Sequence, residues 1–324
     1  MRISGSSFLV LGRAGMDFYA DPPGERVEEA ERFVCHLGGS AANIAASLVK
    51  LGCRANLLTC LSEDAVGRYC LAALARYGIG CRHVRLAGGG LRTSLAVTET
   101  RNVDCQSVIY RNGAADFALS DEDVAAVDFA AHDALVVTGT ALAAEPSRGA
   151  TIKALELARK AGITTILDVD YRPYSWDKAE TAGRVSLAAA RGCDIIVGND
   201  VEFGLLAGAG EDGLALARRL VAEGAAIAVY KMGERGAVTF SCDEEFTTGI
   251  YRTEALKPTG AGDSFMGGFL SGLVRGLPLR DAVLRGSAAA AITVSSVGCA
   301  PAAPEADELD RFLAERKTDA YSAI

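Results

Sequence analysis

Short apolar runs alternate with helical patterns along most of this 324-residue chain, and no other feature restricts its fold as sharply. Phe8–Leu11 reads as a strand, Ser40–Leu51 as a helix, Ala55–Cys60 as a strand, and Asp64–Tyr77 as a helix closed by Gly78. The rhythm resumes with a strand over 134–139, a helix over 147–161, a strand over 163–169, a helix over 178–190 and a strand over 194–198. Helices near 201–206 and over 212–223 follow, then a strand over 226–230. Parallel strands need a crossover, usually a helix, and a strand apolar throughout must be covered on both faces. The sequence therefore predicts an α/β fold with a mainly parallel sheet between two helical layers.

Two stretches break the rhythm. Residues 13–35 and 91–112 hold short alternating segments ("TSLAVTET", "SVIYR") with no helix after them. Such strands are expected to form a small sheet standing off the main one as a β-lid. No linker, repeat or low-complexity segment divides the chain, so one domain spanning residues 1–324 is expected. Half of the residues are hydrophobic, ample for one large core.

The formal net charge of −8 and the lack of a Lys/Arg cluster argue against nucleic acid as a partner. Nine cysteines are scattered with no C-x-x-C pair, unlike a disulfide framework or a zinc site. They read as mostly buried thiols in a reducing compartment. The apolar run at Phe8–Leu11 is too short for a signal peptide or a membrane span, so a soluble, cytoplasmic protein without membrane partners is expected.

The densest motif is "KPTGAGDSFMGGF" at Lys257–Phe269. Glycines at 260 and 262 let a ligand approach the backbone, and a buried helix begins just beyond, over Ser264–Val274. Its first unpaired N–H groups and its dipole attract anions, phosphates above all. Asp263, set in that same turn, would repel a phosphate. That conflict requires an explanation in chemistry.

Other segments carry two readings each. "GAGEDG" at Gly208–Gly213 matches G-x-G-x-x-G, but a helix precedes it instead of a strand, so it reads as an interhelical loop. "GNDVEF" (198–203) is either a capping-box helix start or a pair, Asn199 and Glu202, that organises a hydrated Mg²⁺ beside phosphates. "LGGSAANIA" (37–45) is either close helix–sheet packing or a place where a ligand hydroxyl meets Gly38, Gly39 and Asn43. Arg111 ends a lid strand and Arg172 lies just past a core strand, where ligands of doubly wound sheets bind. A surface role is the plain alternative for both. His36, His83 and His132 show no metal spacing, and Trp176 reads as packing.

"GRAGMD", "LGGSAAN", "GNDVE", "KMGERG" and "KPTGAGDSFMGGF" occur in this order, and together they resemble the PfkB (ribokinase-like) carbohydrate kinases from Gly12 to about Pro304. Within that family, "GRAGMDFYA", "YRNGAADFALS", "TGTALAAEPSR", "LDVDYRP" and "GCAPAAP" look most like the 5-dehydro-2-deoxygluconokinases of inositol breakdown, with the 2-keto-3-deoxygluconate kinases next and fructokinase- or ribokinase-type enzymes beyond. The resemblance implies a three-layer α/β/α domain with a protruding β-lid, and ATP-dependent phosphorylation of a hydroxyl on a deoxy-keto-sugar acid. It implies that Asp263 is the catalytic base and that Gly260, Ala261 and Gly262 form the anion hole for the moving phosphoryl group. It also implies that Asp17, Gly38, Gly39 and Asn43 hold sugar hydroxyls. An acidic protein must place positive charge locally to hold a sugar acid, so Arg111 and Arg172 are expected to meet the carboxylate. Asn199, Lys231, Gly233 and Gly236 would serve ATP, and Glu202 would meet Mg²⁺ through water. A homodimer is expected as well.

These roles resolve the conflict at Asp263. Phosphoryl transfer proceeds largely by positioning and charge stabilisation, so glycine amides can offset the repulsion while Asp263 aims the nucleophile, with no need for a raised pKa. One departure stands out. Many family members carry an aspartate where this chain has Lys257, and it helps bind a monovalent cation; lysine there implies weaker dependence on potassium, unless Lys257 simply points into solvent. Two rival functions remain: a nicotinamide-dependent dehydrogenase, disfavoured by the misplaced glycines, and a sugar-sensing pseudokinase, disfavoured by Asp263.

Overall fold

The computed structural model describes residues 3–319 except 102 and 211. Its strands are β1 (Ser7–Leu11), β2 (Gly15–Asp21), β3 (Arg32–Gly38), β4 (Arg54–Ser62), β5 (Gly80–Ala87), β6 (Ser94–Thr98), β7 (Ser107–Tyr110), β8 (Ala134–Thr138), β9 (Thr164–Asp168), β10 (Ile195–Asn199), β11 (Ile227–Lys231), β12 (Ala237–Ser241) and β13 (Glu245–Thr248). The helices are α1 (Ser40–Lys50), α2 (Ala65–Arg76), α3 (Asp121–Ala125), α4 (Ser147–Lys160), α5 (Ala179–Ala190), α6 (Asp200–Ala207), α7 (Gly213–Ala222), α8 (Ala261–Val274), α9 (Leu279–Val294) and α10 (Ala306–Glu315).

Nine strands form the main sheet in the order β13-β12-β11-β10-β9-β8-β1-β4-β5. Neighbours from β5 to β11 run parallel, and β12 and β13 extend the edge in antiparallel fashion. The period-2 geometry of a strand explains the two helical layers. In β1, Phe8 and Val10 enter a core shared with Ile44 of α1 and Phe269 of α8. Leu9 and Leu11 enter the opposite core with Ala154 of α4, Phe203 of α6 and Leu216 of α7. Every residue of β1 is buried, which is why it reads as an unbroken apolar run.

A second sheet, in the order β3-β2-β6-β7, comes from the two stretches that break the β-α rhythm. β2 pairs antiparallel with β3 and parallel with β6, and β7 closes the far edge. β3 continues to Gly38, beyond the stretch that ended at residue 35.

The chain places β4 and β5 on one side of β1 and β8 to β13 on the other. Strand order reverses at β1, and in doubly wound sheets the crevice outside such a switch point receives the ligand. Among the described residues, no helix is long and apolar enough to cross a membrane. All nine cysteines are free; Cys53, Cys60, Cys70, Cys193 and Cys299 are buried and Cys242 is exposed.

Candidate active site

At the carboxyl ends of the central strands lies a cavity of about 420 Å³. Each wall follows from the topology. Arg13 comes just after β1, Asp168 ends β9, Asn199 ends β10, Lys231 ends β11, and Asp263 stands in the first turn of α8. Of the residues singled out from sequence, Asp17, Gly39, Asn43, Arg172, Asn199, Glu202, Lys231, Gly260, Gly262 and Asp263 line it together.

The turn before α8 has the geometry its glycines allow. Gly260 caps the helix in the left-handed region at φ 84°, and a Cβ there would lie 2.8 Å from the Cys299 Sγ. A non-glycine residue would therefore meet both backbone strain and a clash. The Ser264 N–H bonds back to the Gly260 carbonyl at 3.1 Å, leaving the amides of Ala261, Gly262 and Asp263 ahead of the helical ladder. Ala261 itself does not line the cavity.

Asp263 accepts a hydrogen bond from Asn43 Nδ2 at 2.9 Å on Oδ2. Burial, reinforced by the nearby Asp170, pushes its carboxyl up to about 6, against the opposing pull of Asn43, Arg172 and Lys231. Sequence reasoning required no such rise. It arises because the helix start is enclosed by α1 and the strand ends, and a carboxylate removed from water resists ionisation.

Asp17 is also raised by burial, while Arg13 and a 3.4 Å hydrogen bond from the Tyr19 hydroxyl pull the other way. A Cβ on Gly38 would meet Asp17 Oδ1 at 1.9 Å, so this glycine makes room for the carboxylate and does not itself line the cavity. Gly39 (φ 95°) packs on the backbone of Arg13 and Ala14.

Asn199 and Glu202 form a complete capping box at the start of α6. Glu202 Oε2 accepts from the Asn199 amide at 2.7 Å, and Oε1 accepts from the Tyr171 amide at 3.1 Å. Both residues nevertheless face the cavity. Gly233 and Gly236 shape the turn from β11 to β12 and lie outside the cavity wall.

The two arginines separate. Arg172 lines the cavity and pairs with Asp170 Oδ1 at 2.7 Å. Arg111 does not line it: its guanidinium is buried, ion-paired to Asp116, donates to the Thr140 carbonyl at 3.0 Å and stacks on Phe117. The expectation that Arg111 meets the ligand is corrected on this point, because Asp116, five residues on, already neutralises it.

Lys257 does not point into solvent. It is fully buried, and its ammonium donates to the Thr259 carbonyl at 2.6 Å and sits 3.5 Å from that of Thr293. Burial lowers its pKa, while Cys299 and Asp263 oppose that shift.

Several lining residues were not singled out from sequence, among them Arg13, Asp168, Asp170, Tyr174 and Cys299. Arg13 lay within the quoted "GRAGMD", and its position after β1 was the available signal. Asp168 is raised well above the usual carboxylate range by burial, with Lys231 opposing. Among the described residues no cluster of three or more His, Cys, Asp or Glu side chains could hold a metal ion.

The profile of the pfkB family of carbohydrate kinases matches residues 6–306. The 5-dehydro-2-deoxygluconokinase of Photobacterium profundum is 41% identical over 316 residues, covering 96% of each chain. The crystal structure of a fructokinase with bound ATP from Xylella fastidiosa superposes with a TM-score of 0.86 at 19% identity, covering 96% of this chain and 98% of that one. A fructokinase double mutant from Vibrio cholerae O395, with fructose, ADP and potassium ion bound, gives a TM-score of 0.83 at 22% identity, covering 97% and 100%. These two structures share the fold.

Proposed function

This chain belongs to the pfkB family of carbohydrate kinases, and we propose that it transfers the γ-phosphoryl group of ATP to a hydroxyl of 5-dehydro-2-deoxygluconate. It is a phosphotransferase acting on a sugar hydroxyl. The observation that carries the proposed site is a pair of buried acceptors, Asp17 Oδ1 and Asn43 Oδ1, that have no hydrogen-bond partner yet line the same cavity as Asp263. Buried polar atoms without partners are rare, and sugar hydroxyls are donors of the right kind to satisfy them.

In this reading, Asn43 holds Asp263 Oδ2 and leaves Oδ1 to accept the proton of the reacting hydroxyl. The hydroxyl oxygen then bonds to the γ-phosphorus as the bond to ADP breaks. The amides of Gly262 and Asp263, with the N-terminal dipole of α8, stabilise charge on the phosphoryl group in transit. The raised pKa of Asp263 brings its ionisation near neutral pH, where a general base works well. Lys231, with Nζ near Gly262, is placed to meet phosphate oxygens.

Mg²⁺ fits these residues as a hydrated ion carried by the phosphates. Glu202 and Asn199 face the cavity, but the Glu202 oxygens already accept backbone amides, which leaves contact through water. When bound, the ion neutralises charge on the phosphate chain. Inositol catabolism is the pathway that the substrate class implies. A homodimer is supported by exposed Phe33, Val34, Val108 and Tyr110 on the small sheet, and sedimentation would test it.

ADP release should be assayed with 5-dehydro-2-deoxygluconate, 2-keto-3-deoxygluconate, fructose and ribose. The reading requires the highest kcat/KM for the first; preference for a neutral ketose would overturn it.

A further inference from the structure

We propose that Arg13 is a specificity-determining residue, its guanidinium receiving the negatively charged group of the sugar substrate. This rests on the reading of the substrate as a sugar acid. An anion entering this cavity meets five lining carboxylates, those of Asp17, Asp168, Asp170, Glu202 and Asp263. It must therefore find a cation that no carboxylate has already neutralised.

Three cations line the cavity. Arg172 is held by Asp170 at 2.7 Å. Lys231 ends β11 with its ammonium near Gly262 and over the Phe265 ring at 5.4 Å, beside the helix start, where the proposed reaction assigns it to phosphate oxygens. Arg13 differs from both. Its side chain donates from Nη1 to the neutral Ser94 hydroxyl at 3.0 Å, and it forms no ion pair among the described residues. Yet the residue is only 8% exposed. A charge removed from water without a counter-ion is costly, and a bound anion removes that cost.

The surroundings hold the guanidinium in place. Arg13 follows β1 at the switch point of the sheet, and its carbonyl packs under Gly39 at the start of α1. Ser94, at the first position of β6, fixes one end of the guanidinium, leaving further N–H groups for a planar anion. Asp17 feels Arg13 but lies outside ion-pair reach and is itself engaged by the Tyr19 hydroxyl.

The test uses the full chain with ATP and two sugars: 5-dehydro-2-deoxygluconate, and the same sugar with CH₂OH in place of the carboxylate. Arg13→Gln should raise KM for the acid roughly 10–100-fold, the loss of a charge-assisted hydrogen bond, and change KM for the neutral analogue by less than about threefold. Arg13→Lys should fall between, because it keeps the charge and loses the fork. Should Arg13→Gln fail to fold, Arg13→Lys and Ser94→Ala carry the test, each expected to raise KM for the acid selectively. Equal losses on both sugars, or an unchanged KM for the acid, would overturn the role of Arg13. A wild type that prefers the neutral sugar would instead sink the substrate reading, before any variant is made.

Discussion

Asn43 of α1 and Asp263 of α8, 220 residues apart in the chain, meet through a 2.9 Å hydrogen bond from Nδ2 to Oδ2. This contact joins the helix that follows β3 to the helix that carries the proposed base. It also fixes which carboxylate oxygen is left for a substrate, and it opposes the burial that raises the Asp263 pKa.

Asp263→Asn should lower kcat by about 10²–10⁴-fold, the usual cost of losing a general base, while ATP binding by calorimetry changes little. Turnover near the wild-type rate would remove Asp263 from the mechanism.

The same substitution should alter stability in a pH-dependent way. A carboxyl whose folded pKa is raised to about 6 contributes stability that is full below its unfolded pKa and lost as pH rises through 6. Relative to wild type, Asp263→Asn should therefore have a higher Tm at pH 8 than at pH 5, by an effect on the order of 1–3 kcal/mol. Thermal melts at the two pH values check the sign.

Asn43→Ala removes a donor that favours the ionised form of Asp263. The acidic limb of the kcat/KM profile, set by the free enzyme, should move to higher pH than in the wild type. A limb that stays put, or moves down, would show that the bond does not tune the base.

Gly260→Ala places a Cβ against the Cys299 Sγ at 2.8 Å and a side chain at φ 84°. The start of α8 must shift, so kcat should fall at least about tenfold, given that small displacements at a reacting centre can cost about 10²-fold. Gly204→Ala in α6, where a Cβ meets nothing within 4 Å, should leave kcat unchanged and serves as the control.

Lys257 places a buried ammonium against the Thr259 carbonyl, where its positive charge can substitute for a bound monovalent cation. A second cation about 4 Å away would be disfavoured by roughly 4 kcal/mol at an effective dielectric of 20. Turnover of the wild type should differ less than about twofold between potassium and tetramethylammonium at fixed ionic strength. Lys257→Asp should acquire activation by potassium, and strong potassium activation of the wild type would refute the substitution.

The layered fold was legible because its causes are local. An unbroken apolar strand such as β1 needs cover on both faces, and helical spacing between such strands supplies it. The glycine turn before α8 was legible for the same reason, since helix starts and glycine backbones are properties of neighbouring residues. The strand β5 escaped notice because it lies at an edge, with every position before Ala87 exposed or half-buried instead of a continuous apolar run. The antiparallel β12 and β13 came after the last β-α step, and the alanine-rich α9 lacks a strong polar face to mark its period.

Pairing across the chain is what the sequence could not provide. Arg111 and Arg13 are both arginines near strand ends, and nothing local says that Asp116 neutralises one while the other faces the cavity with a serine. Local sequence leaves open whether Lys257 points into solvent, and burial follows only once α8, α9 and the turn at Cys299 close around it. The raised pKa of Asp263 depends on desolvation and on the Asp170 charge just past β9, with Asn43, Arg172 and Lys231 opposing it. Burial and distance exist only once the chain has folded, so the sequence determined which chemical groups were available, and the tertiary structure decided which of them are paired, buried and able to meet a ligand.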